Sequence, residues 1–373
     1  MQLSIARAEL QRGLARIQSI VEKRNSMPIL ANTLLTATKK GTPQLEIAAT
    51  DLDLGVRGIH PADVAKAGGI TVSARKLFEI VRELPEEPVS LAAHADSYLE
   101  LRCGRSRFRL AGTAAEEFPT LPSLQPGTVS RLPAAVLSDM IERTMYAAST
   151  DETRYNLNGV YFELLDDGAR LRMVATDGHR LAVADRPLGT DAAGLASGVI
   201  LPRKALAELK RLVDEEDADE IELGVEGASA LIRKGEVTLV ARLVEGEFPN
   251  YRQVIPKASR HRIVVPGEVL THAVRRVSLV SIERSKAIRL ELSPGQLRIS
   301  SANPDLGEAA EELDVDYQGA ELAVGFNARY LLDCLAAFRS KEVEVSLEDE
   351  LSPAVLRPAE DAESLAVVMP MRI

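Results

Sequence analysis

Val72-Ser73-Ala74-Arg75-Lys76-Leu77, Leu201-Pro202-Arg203-Lys204-Ala205-Leu206 and Phe326-Asn327-Ala328-Arg329-Tyr330-Leu331 are three versions of one helix start. Their leucines lie 129 and 125 residues apart, and two positions before each sits a base, Arg75, Lys204 or Arg329. Later positions keep helical spacing as Ile80, Leu209 and Cys334, then Leu84, Val213 and Phe338. Apolar residues at i, i+3 and i+7 line one face of a helix, whereas a strand would scatter them over both faces. Self-similarity at a fixed period decides the architecture before any local assignment does.

Other landmarks keep the same period. An earlier helix carries Leu10, Leu14, Ile17 and Val21, echoed by Leu137, Ile141, Thr144 and Ala148 and again by Leu270, Val274, Val277 and Ser281. Arg16, Arg143 and Arg276 recur in one register of that helix. Between the two helix types lies a strand-then-turn echo, Leu45 to Asp51, Leu171 to Asp177 and Leu297 to Pro304. Proline-rich segments close each copy at Glu117-Phe118-Pro119, Glu247-Phe248-Pro249 and Val367-Val368-Met369-Pro370-Met371. The expected organisation is an α+β chain of three repeated domains, residues 1–122, 123–256 and 257–373, each with two helices covering one face of antiparallel sheets.

Bulk composition narrows the class. The chain has 373 residues, 46% hydrophobic and 27% charged, with no run of about 18 apolar residues that would span a membrane. Its N-terminus alternates charge and hydrophobe, and Cys103 and Cys334 are its only cysteines, so a reducing, cytoplasmic setting is expected. The formal charge of -10 argues against a simple basic nucleic-acid binder unless the positive charge is gathered on one surface. The six repeated helices with their flanks total +9, which leaves -19 for the rest. Such helices are expected to face phosphates without reading bases, because no zinc-finger, zipper or helix-turn-helix pattern accompanies them. Packed helices lie about 8–10 Å apart, so six in a ring enclose roughly 15–19 Å and twelve about 31–38 Å. A duplex is about 20 Å across, so a continuous inner wall of helices requires two chains. Closed point symmetry favours a head-to-tail pair.

These residues resemble the bacterial replicative sliding clamp family, the beta subunit of DNA polymerase III. The likeness covers the whole chain, most specifically at Met27 to Leu30, Gly104 to Phe108, Tyr155 to Gly159, Ala175 to Ala182, Phe248 to Arg252 and Val367 to Ile373. The resemblance implies a homodimeric ring with helices inside and sheets outside, placed on DNA by an ATP-driven clamp loader. It also implies tethering of the replicative polymerase and of other replication and repair proteins. Implied DNA contacts are Arg24, Arg75, Tyr155, Arg203 and Lys204. The implied pocket for short peptides containing Gln, Leu and Phe comprises Leu157, Thr176, Gly178, His179, Arg180, Leu181, Pro249, Val254, Val367, Met369, Pro370, Met371 and Arg372. At the ring joint Arg105, Arg107, Phe108 and Leu110 of one chain are implied to meet Leu279, Val280, Glu308 and Glu311 of the other, basic against acidic and apolar against apolar. Asp151, Asn156 and Gln253 depart from the family pattern and bear on single contacts.

Catalytic readings have little to stand on. Asp177-Gly178-His179-Arg180 with Ser149 or Ser197 could imitate a hydrolase triad, but no G-x-S-x-G elbow accompanies it. No phosphate-cradling G-x-x-x-x-G-K-[ST] motif is present, so ATP hydrolysis falls to a partner. His60, His94, His179, His261 and His272 lack metal-ligand spacing, and the acidic run Glu215, Glu216, Asp217, Asp219 and Glu220 reads as a solvated loop. No cofactor and no metal are expected. The runner-up reading is a soluble hydrolase using the Asp177–His179 turn, and a third is a repeat scaffold that binds only proteins, its basic helices merely solvated.

Overall fold

The computed structural model describes residues 1–21, 27–94, 96–122, 129–151, 153–166, 169–188, 198–215 and 219–372. Arg24, Ser197, Glu216 and Asp217 lie outside the described residues. Six α-helices are described: α1 (Arg7–Ile17), α2 (Ala74–Arg82), α3 (Ala134–Thr144), α4 (Arg203–Val213), α5 (Gly267–Ser278) and α6 (Ala328–Phe338). The apolar stripe read from sequence is the buried face of each. Leu10, Leu14 and Ile17 are buried in the first copy, Leu137, Ile141, Thr144 and Ala148 in the second, and Leu270, Val274, Val277 and Ser281 in the third. Two positions differ in the first copy. Val21 lies beyond the end of α1 and Ile20 is buried in its place, while Val81 rather than Ile80 is the buried residue after Leu77.

The second and third repeats are themselves doubled, with the order strand, helix, three strands occurring twice, and the first repeat differs by an added short strand, Asp63–Lys66, before the strand that leads into α2. In the third repeat His261–Pro266 and α5 precede Ala287–Ser293, Gln296–Asn303 and Gly307–Asp314. Leu322–Asn327 and α6 then precede Glu342–Leu347, Ala354–Pro358 and Ser364–Val368. The strand before each helix delivers the chain to its N-terminus. At α2 and α6 a side chain there, Ser73 or Asn327, accepts a backbone amide of the first turn.

Sheets run across the repeat boundaries. Strand Val237–Arg242 pairs antiparallel with Leu54–Pro61, Leu239 opposite Val56, so the second repeat's closing strands extend the first repeat's sheet. Strand Arg180–Pro187 pairs with Ser364–Val368, Leu181 opposite Val367, which ties the second repeat's opening strands to the third. The chain therefore packs as two compact units, Met1–Ala134 with Ala207–Leu243, and Ala135–Leu206 with Val244–Ile373. The first unit holds a thirteen-stranded sheet, the second an eight-stranded and a four-stranded one, and all described pairings are antiparallel. The sequence suggested self-contained copies; backbone hydrogen bonds shared between neighbouring sheets are why the packed units differ from the repeats. Among the described residues no helix is long and apolar enough to cross a membrane.

In the first unit α1 packs on strand Leu54–Pro61 through His60. Its ring is 2% exposed, with Nδ1 3.4 Å from a Glu9 carboxylate oxygen and Nε2 without a hydrogen-bond partner. Gly13 makes this approach possible, since a Cβ there would stand 2.5 Å from His60 Nε2. Burial lowers the His60 pKa and outweighs the opposing pull of Glu9, with Arg16 and Arg12 adding to the lowering. Folding therefore excludes a proton that the unfolded histidine binds. Stability is complete above the ordinary histidine value of about 6.5 and declines as pH falls from there toward the lowered folded value. His60→Gln, neutral at every pH, is expected to flatten this acid-side decline in a series of thermal unfolding midpoints. An unchanged slope would remove His60 as its source.

Candidate functional site

In the second unit one apolar cavity gathers side chains from four distant segments. It has a volume of about 250 Å³, and its wall includes Leu157, Thr176, Leu181, Pro249, Val254 and Val367. Its floor is a small buried cluster of Val174, Leu181, Val183, Tyr251, Val355 and Val367, where the paired strands Arg180–Pro187 and Ser364–Val368 meet. Phe248 stacks on Tyr161 with ring centres 5.0 Å apart, fixing the proline-rich segment that brings in Pro249. The Tyr251 hydroxyl donates to Glu163 at 2.6 Å and accepts from Arg172 at 3.2 Å, so its ring stays rigid beneath the slot.

A turn between two strands forms one rim. Gly178 has φ +88°, a conformation that favours glycine. The Asp177 Oδ1 atom accepts the backbone amides of His179 at 2.9 Å and Arg180 at 3.0 Å, and Thr176 Oγ1 donates to the Arg180 carbonyl at 2.7 Å. Arg180 is held by Asp177 and Asp333 and lies over the rings of Tyr330 and Tyr146, at 4.7 Å and 5.4 Å. This geometry removes the hydrolase reading. Asp177 spends its carboxylate on the turn and on Arg180, and the His179 ring stacks on Tyr330. Ser149, 5% exposed, accepts the Asp151 amide. Burial pushes the Cys334 thiol up to about 12 and raises that of Cys103, so neither is a ready nucleophile. Among the described residues no group of three His, Cys, Asp or Glu side chains could hold a metal ion.

Of the thirteen residues expected at the pocket, nine line this cavity: Leu157, Thr176, Gly178, Arg180, Leu181, Pro249, Val254, Val367 and Met369. The other four lie beside it. Pro370, Met371 and Arg372 line a second cavity of about 680 Å³, with Leu351 and the strand edge Ala323 to Gly325, and Met369 borders both. The Met369 amide donates to the His179 carbonyl at 2.9 Å and that of Met371 to the Gly325 carbonyl at 2.8 Å. Two backbone bonds thus hold the terminal segment between two sheets. His179 lines a polar cleft of about 770 Å³. Asn250 and Tyr251 line the slot but were missed from sequence, although they continue the quoted Phe248-Pro249 string.

The residues expected to contact DNA differ in exposure. Arg75 and Tyr155 are 65% and 63% exposed, Arg75 carrying an in-helix bond to Glu79 at 3.0 Å. Lys204 is exposed at the start of α4. Arg203 is half-buried and donates to the carbonyls of Met145 and Ala148 at 3.2 and 3.1 Å, which makes it a clasp on the chain after α3. The recurrent register Arg16, Arg143 and Arg276 is paired with carboxylates, through Glu215, Asp139 with Asp361, and Glu311 respectively, Arg276 remaining largely exposed. That corrects the phosphate-facing expectation for this register and the solvated reading of Glu215. Several helix charges are spent on neighbouring carboxylates, which a count along the sequence cannot reveal. The polar cleft instead assembles Arg154, Arg180, Arg203, Arg284, Lys286 and Arg329 against Asp151, Asp177, Glu283 and Asp333. Of these cations, sequence reading had singled out Arg329 only as a repeat marker.

The residues expected at the joint lie on two sheet edges. Strand Ser106–Thr113 pairs along one side with Tyr98–Cys103 and on the other only at Gly112 and Thr113, so its opening residues form an edge. Arg105, Arg107, Phe108 and Arg109 are exposed there, and Leu110 is half-buried. Strand Gly307–Asp314 pairs only with Gln296–Asn303 and carries Glu308, Glu311 and Glu312. Beside its helix-facing side, Leu279 is 76% exposed just past the end of α5, with Val280 following it.

A tripled α+β chain with a structural turn where a triad was conceivable, an apolar peptide-sized slot and two oppositely charged sheet edges belongs to the class of repeat proteins that bind and assemble. Models of the DNA polymerase III beta subunit match nearly all of it, the N-terminal domain at residues 1–122, the central domain at 131–250 and the C-terminal domain at 252–372. The beta sliding clamp of Caulobacter vibrioides is 38% identical over 379 residues, and that of Pseudomonas aeruginosa 37% over 377, each covering 100% of both chains. Crystal structures of the Bartonella birtlesii DnaN sliding clamp bound to griselimycin and of the Caulobacter crescentus DNA polymerase sliding clamp superpose with TM-scores of 0.93 and 0.92. Both are 37% identical, over the full length of both chains. The chain belongs to the DNA polymerase III beta subunit family, that of the bacterial sliding clamps, whose members are non-catalytic processivity factors.

Proposed function

We propose that two copies of this chain close head to tail into a ring that encircles duplex DNA and slides on it, tethering the replicative polymerase and other replication and repair proteins in the cytoplasm. Family membership supports DNA, a second copy, a clamp loader and polymerases as the partners. The observation that carries the ring is the pair of unpartnered edges, basic at Arg105, Arg107 and Arg109 and acidic at Glu308, Glu311 and Glu312. Two exposed strand edges of opposite charge pair with each other in register and repel their own kind, which selects head-to-tail closure. Phe108 and Leu110 supply apolar contact for Leu279 and Val280.

In this reading the three domains divide near residues 122 and 256. Arg24, Arg75, Tyr155, Arg203 and Lys204 contact phosphates without reading sequence. The slot from Leu157 to Met369 takes the Leu and Phe side chains of partner peptides. Pro370, Met371, Arg372 and His179 extend it over the neighbouring surface, where methionines adapt to different peptides. The test is retention on DNA after loading by a clamp loader and ATP. Protein is expected to stay on closed circles in gel filtration and to leave once the circle is cut, through the free ends. Equal retention on circular and linear DNA would refute topological linkage and favour the scaffold or simple surface binding.

A further inference from the structure

Arg276 lies where the proposed joint forms. On strand Gly307–Asp314 the side chains of Ala309, Glu311 and Leu313 alternate onto one face, that of the buried Leu313, while Glu308, Ala310 and Glu312 take the other. Arg276, in the last turn of α5, reaches that strand and donates from Nε to Glu311 Oε2 at 3.0 Å and from its terminal nitrogen to Oε1. Both oxygens of Glu311 are therefore held within the protomer. The pair is shallow, with side chains 59% and 26% exposed, and lies at the same helix end as Leu279 and Val280. Arg276 lowers the Glu311 pKa, which keeps the carboxylate charged. On the basic edge Arg107 shares Glu100 with Arg102, leaving its own attachment divided.

We infer that Arg276 is an internal competitor for the ring joint: it holds Glu311 in the free protomer, and closing each joint transfers Glu311 to an arginine of the partner's basic edge. The inference rests on the head-to-tail reading above. Exchanging one exposed ion pair for another is nearly neutral, so the joint gains less from Glu311 than a free carboxylate would supply, and it opens more readily. Ring lifetime is then set partly by a residue that touches neither DNA nor peptide.

The test compares dimer dissociation constants by sedimentation for the full chain and for Arg276→Gln, Glu311→Gln, the double variant, and Arg105→Glu with Arg107→Glu. An exposed pair corresponds to about 1.4- to 5-fold in an equilibrium constant, and a ring has two joints, so Arg276→Gln is expected to tighten the dimer by about 2- to 30-fold. That gain should vanish in the Glu311→Gln background, where no carboxylate remains to release, and shrink at high salt. A weaker or unchanged dimer in Arg276→Gln, or a gain that persists without Glu311, overturns the inference. Loss of dimer in the arginine reversal, together with either of those results, leaves the head-to-tail joint standing and removes only the competitor. An arginine reversal without effect removes both.

Discussion

Truncation after Val368 is expected to abolish binding of a fluorescent peptide containing Gln, Leu and Phe while leaving the dimer intact. Among the described terminal residues Met369 alone borders both cavities, and its amide bond to His179 aligns the slot with the adjoining turn. Beyond it the Met371 amide is fastened to Gly325, so Pro370 and Arg372 are presented as a wall. Removing these residues deletes apolar contact and the backbone anchoring together. Truncating a single well-packed anchor commonly costs about 2 kcal/mol of binding, roughly 30-fold, and here more than one is lost. Met369→Ala alone should reproduce about 10- to 30-fold of the loss, because it keeps the backbone bonds and removes only the adaptable side chain. The expected joint residues Arg105 to Leu110 and Leu279 to Glu311 lie elsewhere in the sequence, so sedimentation should still report a dimer. Peptide affinity within twofold of the intact chain would show that the terminal segment is not part of the site.

The architecture was legible because it rests on spacing. Leu77, Leu206 and Leu331 are buried where their period puts them, and so are Leu137, Ile141 and Thr144, even though threonine weakens the apolar signal. What periodicity could not give was the partner of each strand. Hydrogen bonding of Val237–Arg242 to Leu54–Pro61 joins residues nearly two hundred positions apart, and no local pattern marks it. The slot was largely legible through resemblance, since its wall is made of contiguous strings. Tyr251 escaped because its contribution depends on being locked by Glu163 and Arg172, two residues on neighbouring strands. Charge was the least legible property. Arg16, Arg143 and Arg276 hold one helical register, yet each finds a carboxylate from another segment, and a sum over helices counts them as if they faced solvent. His60 was read only as a non-ligand, and the close approach of Gly13 that buries it is a tertiary fact.

Reversing Arg24, Arg75 and Lys204 to Glu is expected to weaken association with duplex DNA across all sequences and to flatten its dependence on salt. The expectation depends on how firmly each cation is already engaged. Arg75 is 65% exposed and bonded only within its own helix to Glu79, an exposed pair of the kind that contributes at most about 1 kcal/mol, so it can turn to a phosphate at little cost. Arg203, by contrast, already serves two backbone carbonyls, and its removal would disturb the chain after α3 as well as any phosphate contact. It is therefore left out of the variant. Each neutralised phosphate contributes roughly 0.9 to the slope of log affinity against log salt, so six lost contacts in a dimer should reduce that slope by about 5. At low salt the affinity should fall by at least about 100-fold, since six positive charges become six negative ones facing the same backbone. Equilibrium binding to two duplexes of unrelated sequence, over a range of salt concentrations, measures both quantities. A loss confined to one duplex would mean that these residues read bases, and an unchanged slope would mean that they do not meet phosphates at all.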